Sequence, residues 1–254
     1  MKAIVTLIRH ELKTLWIAPA TYIAAVLALL VMGFLYLATL FALVGDEQEA
    51  LPPTIFLSTF WVPVLLIVPM LTMRSLAEER RLGTLESLMT TPVSAAAIVF
   101  SKWVGAYTFY ILVWVIALGF PWIAAEILQQ PEMTARFFDQ GSLIGGYLFI
   151  ALSGALFIAV GIFASSLTRS QLVAGMLSFS IIFLMIIGIA ALRLIEAQSG
   201  DWDSFPIQWL DYLQIMEHFE DFSKGVVDTR PVIYYLSGTA LILGIASLVV
   251  ESKA

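Results

Sequence analysis

Six stretches of this 254-residue chain run for about 20 residues without Asp, Glu, Lys or Arg, the length a helix needs to cross a hydrocarbon core of roughly 30 Å. They cover about 20–44, 54–73, 103–125, 141–168, 171–192 and 232–250. A water-soluble globule cannot hide that much uninterrupted apolar chain. Composition agrees, with 60% hydrophobic and 13% charged residues against roughly half and a quarter in soluble domains. The expected fold class is an all-α integral membrane protein with six transmembrane helices in a single domain over 1–254. The first stretch stays in the mature protein, because it is unbroken from Leu15 to Gly45 and a signal-peptide apolar region is only about 7 to 15 residues long.

Orientation follows from Lys and Arg in the connecting segments. With the N-terminus inside, nine fall on the cytoplasmic side and only Arg136, Arg193, Lys224 and Arg230 outside, so both termini are expected in the cytoplasm. The spans then pair as three hairpins, joined outside by 46–53, by 126–139 and by the long outer segment 193–230.

Three segments are not spans. Residues 1–18 carry Ile4, Leu7, Ile8, Leu12, Leu15 and Trp16 at helical spacing, which predicts an amphipathic interfacial helix, with Trp16 and Pro19 marking the bend into the bilayer. His10 and Glu11 read as part of its solvated face. Before the sixth span, Leu210, Leu213, Met216, Phe219, Phe222 and Val226 form one stripe, with His218 among the polar faces, which predicts an outer amphipathic helix. Gly225 suits its terminator and Pro231 the first turn of the last span.

The loop 74–94 is the third. Ser75 with Glu78 fits a capping box, Leu82, Leu85, Leu88 and Met89 give a small apolar face, Gly83 permits a break, and Ser94 suits an N-cap for the next span. Such a unit is either a docking element for a soluble partner or a solvated loop with a helical turn.

Several function classes are excluded. There is no G-x-x-x-x-G-K-[ST], so no P-loop; zero cysteines and two histidines leave little for a metal centre; a net charge of −6 argues against nucleic acid. The six stretches contain no acid, base or histidine, which disfavours a proton-driven carrier and an intramembrane enzyme. No catalytic, cofactor or metal site is expected in the chain. Small residues recur at fourfold spacing at Gly141 and Gly145, at Ala151, Ala155 and Ala159, and at Ala240 and Gly244, allowing helices to approach closely within or between subunits. Pro63 and Pro69 should kink the second span or free carbonyls in it.

The run from Glu78 through Glu79, Arg80, Arg81, Leu82, Gly83, Thr84, Leu85, Glu86 and Ser87 to Leu88, followed by Thr91, Pro92, Val93 and Ser94, resembles the permease subunits of type-2 ABC transporters. The outer run from His218 to Arg230 is similar to the bacterial gliding-motility branch of that family. The resemblance implies a non-catalytic permease in the bacterial inner membrane, surrounded by membrane lipids and in the main an exporter. It implies pairing with a second permease copy or a sister permease, and with separate cytoplasmic subunits that bind ATP and Mg. On it, 75–89 is the coupling helix, with Glu78, Glu79, Arg80, Arg81 and Glu86 pairing across the ATPase interface and Gly83 and Thr84 setting the turn. The rival is a membrane anchor or scaffold that moves no substrate.

Overall fold

A computed structural model describes residues 2–45, 51–85, 93–128, 138–192, 213–226 and 228–253. The described residues form helices and turns only: α1 (Lys2–Ile17), α2 (Pro19–Gly45), α3 (Pro52–Ser58), α4 (Trp61–Thr72), α5 (Ala77–Leu82), α6 (Ala95–Ala117), α7 (Gly119–Leu128), α8 (Gln140–Leu167), α9 (Gln171–Phe183) with a π-helical continuation (Leu184–Gly188), α10 (Ile215–Ser223) and α11 (Thr229–Ser252). Six of the helical stretches are long and apolar enough to cross a membrane.

The second crossing is built in two pieces. The expected 54–73 helix breaks at Thr59 and Phe60, four and three residues before Pro63, whose ring would collide with the carbonyl four residues back. Ser58 and Thr59 turn their hydroxyls onto the carbonyls of Ile55 and Phe56. Pro63 then falls in the first turn of α4, where its missing N–H costs nothing. Pro69 lies inside α4 without interrupting it. At 12 residues α4 rises only about 18 Å, so α3 and the turns beyond Thr72 complete the passage.

At the centre stands α8, 78% of whose most apolar window is buried, against 17% for α11. Glycines let its neighbours close on it. A Cβ on Gly146 would meet the Leu57 side chain of α3, one on Gly154 the ring of Tyr110 on α6, and one on Gly161 the side chain of Thr72 at the end of α4. The Ala151 and Ala155 steps serve packing within the chain: their carbonyls accept hydrogen bonds from Tyr107 Oη and Trp103 Nε1 of α6, each at 3.0 Å. Trp103, Tyr107 and Tyr110 stack along that seam. By contrast Ala240 is exposed and Gly244 has open space beside it.

The first helix α1 ends at Ile17, two residues before Pro19, so the bend lies at Ala18 as the Trp16 and Pro19 signals indicate. Its inward face, through Leu7, Ile8, Glu11, Leu12 and Leu15, packs on α6, where Gly105 admits Glu11 and Leu15. At the opposite end of the bundle α10 lies on α8 and α3. Ile215, Phe219 and Phe222 are buried and Val226 is exposed, because Gly225, at φ +78°, ends the helix before the stripe reaches it. Leu210 lies outside the described residues. His218 is buried, not on the polar face: its Nδ1 lies 3.2 Å from Tyr235 Oη of α11. Pro231 occupies the first turn of α11, which Asp228 caps through the Arg230 amide.

Candidate functional site

The short helix α5 hangs below the second crossing and is held by side chains the loop does not contain. Ser75 does not cap it; the N-cap residue is Leu76, with no side-chain cap of its own. Instead Ser165 on α8 supplies the cap: its Oγ accepts from the amides of Leu76 and Ala77, at 3.1 and 3.0 Å, and donates to the Met73 carbonyl at 3.3 Å. One hydroxyl thus satisfies two of the amides that a helix start leaves without partners. Leu76 and Ala77 are fully buried there, where a serine at position 75 could not compete. Arg80 makes a second tether, its Nη1 donating to the Ser166 carbonyl at 2.5 Å.

The charge order within α5, Glu78 and Glu79 first and Arg80 and Arg81 last, complements the helix dipole. Gly83 ends the helix at φ +71° in the left-handed region, which an L side chain enters only with strain, and Thr84 Oγ1 donates back to the Glu79 carbonyl. That reversal separates two leucines expected on one face: Leu82 is 62% exposed, while Leu85 is 2% exposed and joins the core. Leu88, Met89 and Glu86 lie outside the described residues.

The sequence-predicted charges therefore divide. Arg81 faces out and pairs loosely with the half-buried Glu78, at 3.9 Å. Leu82, Gly83 and Thr84 are exposed beside them. Glu79 and Arg80 turn toward the bundle and have partners inside the chain. Glu79 Oε1 meets Lys102 Nζ of α6 at 2.6 Å, and the same ammonium meets Glu11 Oε1 of α1 at 2.8 Å. Lys102 is 4% exposed. This clasp corrects two further expectations: Glu11 belongs to a buried ion pair and not to a solvated face, and the third crossing contains a base. The helix begins at Ala95, capped by Ser94 Oγ on the Ala97 amide at 3.3 Å, so Lys102 stands two turns inside it.

Glu11, Lys102, Ser165 and Ser166 are the site residues that sequence reasoning passed over. Two left a signal. Residues 93–125 form one apolar run interrupted by a single lysine, and Glu11 sits among Leu7, Ile8, Leu12 and Leu15 on an apolar face; a lone charge in either place requires a partner. The serines left none, since a capping hydroxyl on another helix has no local pattern.

The clasp, the borrowed cap and the Arg80 tether join α5 to α1 and to the third and fourth crossings at one end of the bundle. Lys253 Nζ reaches the Leu167 carbonyl at that same end, so α1, α5 and the end of α11 lie together. The family model for ABC-2 family transporter proteins matches residues 53–249, from α3 through nearly all of α11. The chain belongs to that family. No curated protein matches it. As an ABC-2 family member with six apolar crossings it is a multi-pass membrane protein and a permease subunit of an ABC transporter. Such subunits are generally not catalytic; members of the family normally work with ATP-binding subunits and form dimers. The matched region holds Glu79 and Lys102 but begins after Glu11.

Proposed function

We propose that this permease couples ATP hydrolysis by separate cytoplasmic subunits to export of a substrate across the bacterial inner membrane, and that α5 with the turn after it is the docking element. The observation that carries the reading is the position of α5: it presents Glu78, Arg81, Leu82, Gly83 and Thr84 outward while its other face is bonded to the third and fourth crossings. A push on a free loop would dissipate in solvent. A push on this helix moves α8 through Ser165 and Ser166, and α6 and α1 through Lys102, which is what transmission between two packed states requires. The excess of Lys and Arg on the α5 side supports a cytoplasmic location for that end and for both termini.

Glu78 and Arg81 are the charges available to a partner, Gly83 and Thr84 fix the turn, and Glu79 and Arg80 serve as the permease's internal attachments. Glu86 extends the charged surface in sequence. A second permease copy or a sister permease completes the path, with ATP and Mg held by the partner subunits. Similarity of the run from His218 to Arg230 supports placement in the gliding-motility branch.

The experiment is reconstitution with the ATP-binding subunits that co-purify. Arg81→Glu is expected to lower transport-linked ATPase by tenfold or more, since a reversed charge at a rim costs on the order of 1–3 kcal/mol, with insertion and monomer stability unchanged. Full transport and full assembly in this variant would remove α5 from the interface. Intact assembly with no substrate-stimulated ATPase in the parent would favour the scaffold reading.

A further inference from the structure

Between α1, α2, α4, α5 and α6 lies a cavity of about 260 Å3 that the coupling reading does not use. Its polar side is formed by Glu11, Glu78, Glu79, Lys102 and Arg74, and its apolar side by Leu15, Ala18, Met70 and Leu71. The charges do not balance. One buried ammonium, Lys102, serves two carboxylates, so that wall carries one excess negative charge. Glu79 Oε2 is buried with no hydrogen-bond partner among the described residues. Arg74 is exposed and has no ion pair or hydrogen bond among the described residues. The cavity thus offers two carboxylates that share one ammonium, a cation that lacks an anion, and an apolar wall beside both.

The occupant must supply the complement of each. A cationic group with N–H donors answers the excess carboxylate charge, because hydrogen bonds between ionised partners are the strong ones. An anionic oxygen group answers the guanidinium, which takes phosphate in a forked geometry. The volume lies below the roughly 300–1,000 Å3 of pockets that enclose a drug-sized molecule, so it accepts a headgroup and leaves any apolar tail outside. A tail has somewhere to go, since the cavity borders the interfacial helix α1, whose Trp16 and Ile17 are exposed.

We propose that this cavity binds the headgroup of a phospholipid bearing both a primary ammonium and a phosphate, of the phosphoethanolamine type, from the leaflet in which α1 lies. The ammonium donates to the Glu79 and Glu11 side and the phosphate accepts from Arg74. A trimethylammonium head has no N–H to give, and a purely anionic head meets the excess carboxylate with the wrong sign. Because α1 and α5 both line the cavity, the lipid bridges them. The inference needs only a membrane-embedded chain and is independent of the ATPase reading.

The test is native mass spectrometry of the delipidated full chain, offered phosphatidylethanolamine, phosphatidylcholine and phosphatidylglycerol with identical acyl chains. Phosphatidylethanolamine is expected to be retained about tenfold over each of the others, the ratio that one charge-assisted hydrogen bond supplies. Arg74→Gln should lower retention of all three lipids, because each carries the phosphate that Arg74 would hold. Thr14→Trp, which fills the cavity from α1 at a residue whose hydroxyl bonds only within its own helix, should erase the preference; helix content by circular dichroism should stay constant in both. Equal retention of the three lipids, or a preference that survives Thr14→Trp, would overturn the proposal. Displacement of the lipid by an equal concentration of soluble O-phosphoethanolamine would assign the cavity to a soluble zwitterion and overturn the lipid as occupant.

Discussion

Lys102 shows how one residue can hold three helices in a membrane protein. Its ammonium is the single cation between Glu11 and Glu79, at 2.8 and 2.6 Å, in surroundings where a lone charge is expensive and a paired one is tolerated. Removing the lysine leaves two carboxylates facing each other. Lys102→Met is therefore expected to destabilise the chain by several kcal/mol, toward the lower end of the roughly 3–5 kcal/mol for a broken buried pair, because the two carboxylates retain 17% and 26% side-chain exposure. Adding Glu11→Gln and Glu79→Gln should recover most of the loss by removing the stranded charges. Thermal unfolding in detergent, followed by tryptophan fluorescence, checks both. An unchanged midpoint for Lys102→Met would mean that the clasp contributes nothing to the fold.

At the scale of the element, α10 depends on a histidine whose burial favours the neutral ring. Burial holds the His218 imidazole below its ordinary value of 6.5, with Asp221 and Asp228 pulling the other way. The neutral ring, seated against Tyr235 Oη of α11, is the form that belongs to the docked helix. Its contribution is complete above pH 6.5, where the ring is neutral in the unfolded chain too. It is lost as pH falls from there through the lowered native value, at no more than about 1.4 kcal/mol per pH unit for one proton. Amide exchange over 215–223 is thus expected to be faster at pH 5.5 than at pH 7.5, after correction for intrinsic rates. His218→Gln keeps a neutral side chain that can face Tyr235 and should flatten the dependence. Equal pH dependence in parent and variant would place the effect elsewhere.

For the molecule as a whole, α8 is the axis on which the other crossings close, and its glycines set how near they come. A Cβ on Gly145 would run into the backbone carbonyl of Phe222, which cannot swing aside as a side chain can. Gly145→Ala must lift α10 off α8, at about 1–3 kcal/mol as for other overpacked sites. Gly244, on the exposed side of α11, has nothing within 4 Å of the added atom. Gly244→Ala should leave the monomer as stable as the parent or about 0.5–1 kcal/mol more so, because alanine gives up less backbone freedom in a helix than glycine. Unfolding midpoints of the two variants, measured side by side on monomeric protein, test this ranking. Its reversal would show that α10 is not seated on α8.

The sequence by itself determined the six crossings, the interfacial first helix, the bend before Pro19, the Ser94 cap, the Gly83 and Gly225 stops and the loop that carries the family's pattern. These are local facts: a charge-free run, a proline at a helix start or a glycine past a helix end acts through its neighbours in the chain. Only the tertiary structure decided that Glu79 and Arg80 face inward, that Ser165 rather than Ser75 starts α5, that Glu11 and Lys102 share a buried pair, and that His218 packs against Tyr235. Each depends on a partner between 17 and 91 residues away. A helical period ranks the faces of one segment by polarity, but a charged residue on an apolar face is satisfied by whichever helix arrives opposite. That choice belongs to the packing of the bundle, because burial penalises an unpaired charge wherever its partner lies in the sequence.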